Sequence, residues 1–239
     1  MGLVPSPAAL SVCSSGQELT GNRGESVMKK QHLARITNRG FTLAELLIGL
    51  FVSGIVMTAI LSAYYSQNKS YAVQEQVAAM VQNLRAAMDI MIREIRMAGY
   101  DPMGTANAGF VSTTTTSITI TEDLDGDGSV AGDENITYAL ADSDGDGDND
   151  LERNNNLIAE NIDALDFVYL DENDTPTGVG SEIRSVQITI VAKTDKVDRG
   201  YHDTIVYTRQ GGAGIFGPTN DGFRRKRLTA EVRCRNLGL

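Results

Sequence analysis

The 239-residue chain has no tryptophan, two histidines, two cysteines and five prolines. His32 lies ahead of the chain's one long apolar run, which leaves His202 alone in the polar remainder, so a His-centred triad or a zinc site is hard to build. Basic residues are also scarce, 21 against 31 acidic, a formal charge of −10. An acidic surface excludes general affinity for nucleic acid or anionic lipid. The carboxylates are many, but their Asp-Gly spacing suits calcium better than a general acid/base pair, so the chain does not read as an enzyme.

Long apolar runs are equally rare: there is one. Phe41 to Tyr65 is almost wholly apolar, with Glu45 its only charge. Twenty-five residues of helix span a bilayer at roughly 1.5 Å per residue. Tyr64 and Tyr65 fall where an interfacial aromatic belt would lie. Residues 1–40 carry Arg23, Lys29, Lys30, Arg35 and Arg39 against Glu18 and Glu25, a net of +3, which leaves −13 for the rest. Basic residues ahead of an apolar span place the N-terminus in the cytoplasm and the remainder across the membrane. Residues 1–27 show no signal-peptide core. Met28-Lys29-Lys30 reads as a fresh start, so residues 1–27 read as an over-extended gene call.

After Tyr65 the apolar positions Val73, Val77, Met80, Val81, Leu84, Met88, Met91, Ile92 and Ile95 recur at spacings of three and four. That period predicts an amphipathic helical half over 66–100, ended by Gly99 and Pro102. Residues 101–239 read as a β-rich head. Strands are expected at Ser117–Ile120, Ile136–Leu140, Ala164–Leu170, Ser185–Val191, Thr204–Tyr207 and Leu228–Val232, separated by Asp/Gly/Asn turns. The expected class is α+β: one long N-terminal helix, its first half in the membrane, packed on an antiparallel sheet. The run Arg224-Arg225-Lys226-Arg227 reads as the solvated start of an edge strand.

Arg39-Gly40-Phe41-Thr42-Leu43-Ala44-Glu45-Leu46-Leu47 joins the basic leader to the apolar span. Gly40-Phe41 is a small residue at a membrane boundary, a fit place for a protease at the inner face. A carboxylate inside a membrane span costs about 2–3 kcal/mol, so Glu45 calls for a task. A cut before Phe41 creates a cationic amine, and Glu45 of one subunit can pair with the amine of a neighbour. Cleavage there also removes Cys13. Cys234 then has no partner in the mature chain and reads as a small buried residue on a terminal strand.

This stretch resembles the signal of type IV prepilins, and the chain resembles the PilW group of minor pilins. Met91 to Pro102 resembles the way their long helix ends, and Arg225 to Leu237 their closing strand. The resemblance implies a type IV pilin-like fold. It also implies cleavage between Gly40 and Phe41 by prepilin peptidase, methylation of Phe41, and assembly through Glu45 with other pilins. Gly54 matches a glycine common midway along the pilin span. Ser62 stands where major pilins often carry a kinking proline.

Two acidic loops follow the helix. Asp123 to Glu134 meets the pattern D-x-[DN]-x-[DN]-G-x5-E in full. A Ca2+ ion takes six to eight oxygens, so Asp123, Asp125, Asp127, the Ser129 carbonyl and a bidentate Glu134 are the expected ligands, with Gly128 at the sharp turn. The second tract, Asp142 to Arg153, keeps the first half of the pattern. Arg153 stands at its twelfth position and Glu152 one place early. Its expected ligands are Asp142, Asp144, Asp146, Asp148 and Glu152. Solvated Asp-Gly hairpin turns are the plain alternative for both.

The functional reading is a structural subunit: a minor pilin that helps initiate or cap a type IV pilus and reaches the cell surface with it. The alternatives are a J-type pseudopilin of type II secretion, or a calcium-stiffened adhesive module at the pilus tip, alone or with a tip adhesin.

Overall fold

A computed structural model describes residues 40–237. The leader, Cys13 and the start at Met28 lie outside the described residues. The chain divides into two compact units, Met1–Ser53 and Gly54–Leu239. Helix α1, Leu43–Met97, begins in the first and ends in the second.

In the first unit α1 starts at the apolar run, with leucine, isoleucine and alanine as good helix formers and no proline to interrupt them. Every described residue of this unit is exposed in the isolated chain. Leu43, Leu46, Leu47 and Phe51 each expose more than half of their surface. An 18-residue window of α1 reaches a mean hydropathy of 2.3 with nothing in it buried, enough by length and composition to cross a membrane.

The second unit is a helix packed on antiparallel sheets, as the sequence pattern predicts. From Met80 onward α1 buries Met80, Leu84, Ala87, Met88, Met91 and Ile95, spaced three and four apart on one face. Gly99, at φ +77°, takes the left-handed conformation that ends the helix, and its N–H donates to the Thr121 carbonyl at 3.0 Å. Asn236 Nδ2 donates to the carbonyl of Met97 and the Arg235 amide to that of Arg96, so the C-terminal segment satisfies the orphan carbonyls of the last turn.

One sheet has five strands in sequential order: β1 Phe110–Thr113, β2 Ile118–Thr121, β3 Asn135–Ala141, β4 Asp150–Arg153 and β5 Asn156–Ala159. A second has three, in the order β10–β7–β6, where β6 is Ile162–Leu170, β7 Ser185–Lys193 and β10 Arg225–Arg233. The short pair β8 Tyr207–Thr208 and β9 Gly214–Phe216 stands apart. Ile118, Ile120, Ile136, Tyr138 and Leu151 from the first sheet meet Phe167, Ile188, Ile190 and Val232 from the second in one core with the helix.

Three expectations need correcting. The head has three sheets rather than one, and β1, β4, β5 and β9 lie in segments read as loops. β1 and β5 close the two edges of the five-stranded sheet and β4 pairs on both sides, so ladder partners hold segments too short to show an alternation of their own. The strand expected at Thr204–Tyr207 is reduced to Tyr207–Thr208, where the Asp203 carboxylate takes the Ile205 amide in place of a ladder partner. Arg225 is not solvated: it opens edge strand β10 at 7% exposure, its guanidinium meeting Asp163, Asp203 and Asp221. Burial works against its charge, but the three carboxylates outweigh it and hold the guanidinium above its usual range.

Candidate functional site

Two features of the chain carry chemistry: the start of α1, and the pair of acidic loops on the five-stranded sheet.

At the start of α1 the Glu45 amide donates to Thr42 Oγ1 at 3.2 Å, and Glu45 Oε2 accepts from the Thr42 amide at 2.9 Å. Thr42-x-x-Glu45 is therefore a capping box, each residue satisfying a backbone donor of the other. The sequence reading gave Glu45 an assembly role and missed this one, although the spacing of three was visible. Gly40 and Phe41 lie just outside the helix and are exposed, Phe41 at 85%. Extended, accessible backbone is what a protease needs to bind.

The first acidic loop leaves β2 and returns to β3. Its entry, Asp123, is fully buried, and both of its oxygens accept from glycine amides, Gly126 at 2.7 Å and Gly128 at 3.1 Å. Those two glycines hold φ of +73° and +81°, which side-chain-bearing residues resist. The turns fold the loop so that Asp123, Asp125 and Glu134 bring carboxylate oxygens within 4.8 Å of one another. Glu134 closes the loop: Oε1 accepts from Leu124 at 2.8 Å and Oε2 from Ala131 at 3.1 Å. The amides of Ala131 and Leu124 hold its carboxyl below the usual range. Asp127 is not in that trio. Its Oδ1 takes the Ser129 hydroxyl and amide, which lower its pKa. Ser129 is exposed beside it.

The second loop repeats the first half of this geometry. Asp142 accepts from Gly145 at 2.9 Å and from Gly147 at 3.2 Å, Asp144 from the Asp146 amide, and Asp146 from the Asp148 amide. Asp142, Asp144 and Asp146 gather oxygens within 4.8 Å. The other two expected ligands are placed elsewhere. Asp148 forms an ion pair with Lys193 of β7, and Glu152 is buried within strand β4 opposite Ala139. Arg153, at the twelfth position, turns to the helix, where its Nε meets Glu94 Oε1 at 2.9 Å and Glu94 also accepts from Tyr138. Burial and then Glu94 push the Tyr138 phenol above its usual range.

The donor sets fit hard-cation chemistry: clustered carboxylate oxygens on glycine-shaped turns, with no basic side chain paired to Asp123, Asp125 or Glu134, nor to Asp142, Asp144 or Asp146, among the described residues. Cys234 is buried and free; burial pushes its thiol up to about 12, the state of an inert structural cysteine. His202 is exposed, with Nδ1 3.5 Å from the Asn220 carbonyl.

The prokaryotic N-terminal methylation motif matches residues 35–61. No curated protein matches the chain in sequence. Among solved structures the chain is similar to a type IV-like pilin from Thermus thermophilus, at 14% identity and a TM-score of 0.45, covering 66% of this chain and 98% of that one. The chain thus carries a prokaryotic N-terminal methylation motif, with Gly40, Phe41 and Glu45 inside it, at the entry to the exposed apolar half of α1.

Proposed function

We propose that this chain is a type IV minor pilin of the PilW kind, cut between Gly40 and Phe41 by prepilin peptidase and methylated on Phe41. It waits in the inner membrane with its head in the periplasm, then joins the start or tip of a filament. The observation that carries this reading is the methylation motif running directly into helical surface that is apolar on every side and exposed in the isolated chain. Such a surface belongs in lipid or against other apolar helices. Glu45 then has two successive partners. In the precursor it caps the helix through Thr42, and after cleavage it can receive the new amine of a neighbouring subunit.

The first acidic loop binds Ca2+ through Asp123, Asp125, Asp127, the Ser129 carbonyl and Glu134. The ion would neutralise a crowded set of carboxylates and stiffen the connection between β2 and β3. Support comes from the fully buried Asp123 and from Glu134 closing on the same point.

The mature N-terminus tests the main claim. Mass spectrometry of the chain recovered from filaments should find N-methylphenylalanine at Phe41. A chain still beginning before Phe41 in assembled filaments would overturn it.

A further inference from the structure

The second acidic loop holds a carboxylate that the sequence pattern passes over. Asp150 is the ninth residue counted from Asp142. It stands where the loop re-enters the sheet as β4 and is 2% exposed. One oxygen, Oδ1, accepts the Asn161 amide at 2.9 Å. The other, Oδ2, is buried and has no hydrogen-bond partner. A buried carboxylate oxygen left without a donor is costly, and such an atom in a native fold points to an unseen water or ion.

The surroundings of Asp150 say which. Burial raises its pKa, and the charges that raise it further are Asp144, Asp146 and Asp142, all three residues of the loop cluster. Lys193, the ammonium that reaches this loop, is committed to Asp148. Asp142, Asp144 and Asp146 gather oxygens within 4.8 Å on turns whose amides fix them, Asp150 stands at the end of the same loop, and no cationic side chain pairs with any of the four among the described residues. In a twelve-residue calcium loop the ninth position is a ligand that often reaches the ion through a water. That fits a carboxylate that stands outside the 4.8 Å group of the other three.

We propose that Asp142, Asp144, Asp146 and Asp150 form a second calcium site, with Asp150 in place of the closing glutamate that this loop lacks. The proposal rests on the calcium reading of the first loop and extends it. Asp150 makes this site a junction. Its Oδ1 holds Asn161, whose carbonyl accepts the Lys193 amide of β7, and the neighbouring Ile162 amide of β6 donates to Asn149. An ion there ties the loop of the five-stranded sheet to the start of the three-stranded one. Glu152, taken from the sequence as the displaced closing ligand, is buried two residues further along β4, beyond the twelve-residue pattern's ninth position, and its own Oε1 is also unpartnered.

Calcium titration calorimetry on the full mature chain in detergent micelles tests this. The wild type should bind two ions, Glu134→Gln one, and Asp150→Asn one, the lost site weakening at least tenfold in each variant. Glu152→Gln should keep both sites within about threefold. A wild type that binds one ion, lost in Glu134→Gln and kept in Asp150→Asn, overturns the second site and leaves the first-loop reading standing. A wild type that binds none overturns both. Folding of Asp150→Asn is read separately in calcium-free buffer. There it should melt at or above the wild-type temperature, because the unpartnered charge is gone. A lower melting temperature with two ions still bound would mark Asp150 as merely structural.

Discussion

The acidic head handles its carboxylates in two ways. Around Arg225 the chain supplies its own cation: Asp163, Asp203 and Asp221 close on one buried guanidinium at 2.6 to 3.1 Å. Thr219 and the Phe223 carbonyl accept from it as well. In the two Asp-Gly loops the same residue type is gathered as tightly, but among the described residues the only donors to Asp123, Asp125, Asp127, Glu134, Asp142, Asp144 and Asp146 are backbone amides and the Ser129 hydroxyl. The first arrangement is complete at folding. The second carries uncompensated charge, and only something from solution can neutralise it. That difference is why the loops, rather than the equally acidic Arg225 cluster, read as ion sites.

The strongest way to break the comparison is Arg225→Ala. Removing one partner from a buried ion cluster leaves unpaired charges and costs about 3–5 kcal/mol. For a chain of this size the melting temperature should fall on the order of 10 °C, equally with and without calcium. A loss that calcium repairs would mean the two regions are not distinct. The next effect belongs to Glu134→Gln. Calcium at a hundredfold excess over its dissociation constant stabilises the native state by about 2.7 kcal/mol per site. This variant should lose the first loop's share of the calcium-induced rise in melting temperature and fold normally without the ion.

Acid titration sharpens the contrast further. Hydrogen bonds from Arg225 hold Asp221 below the ordinary carboxylate range, and those from Arg224 do the same for Asp198. A carboxylate whose folded pKa is depressed contributes stability above its unfolded value, near 4, and loses it as pH falls toward the folded one. Melting temperatures followed from pH 6 to pH 2.5 should drop steeply in the wild type and more gently in Arg225→Ala. The smallest effect is Lys193→Ala. It frees Asp148 at a cost of about 1 kcal/mol or less, since that carboxylate is partly exposed. By removing a nearby positive charge it should also tighten calcium at the second loop a few-fold, measurable by the same calorimetry.

These regions were unequally legible in the sequence. The α+β class, the end of the helix near Met97, its buried stripe and the first loop's geometry follow from local patterns, because helical periodicity and a calcium-type spacing are properties of neighbours in the chain. Gly128 and Glu134 fall where the twelve-residue pattern puts them. The second loop is harder to read because its pattern breaks at the twelfth position, and Glu152, the substitute that the sequence suggested, is a buried strand residue opposite Ala139. Asp150 looked like one more aspartate in a polar tract. Its importance comes from burial and from Asn161, eleven residues on, neither of which a linear pattern displays. Arg225 was hidden for the same reason: its carboxylates lie as far as 62 residues away, and only the fold gathers them.

The sequence by itself determined where the chain enters a membrane-type helix, where the processing motif sits and how the helix is capped. All three depend on residues within a few positions of one another: Gly40 beside Phe41, Thr42 three before Glu45, and an unbroken apolar run. Tertiary structure alone decided which carboxylates keep a cation of their own and which do not. Charge neutralisation is settled across strands, by side chains brought together from β4, β6, β7 and β10, and no local rule of composition or period reaches that far.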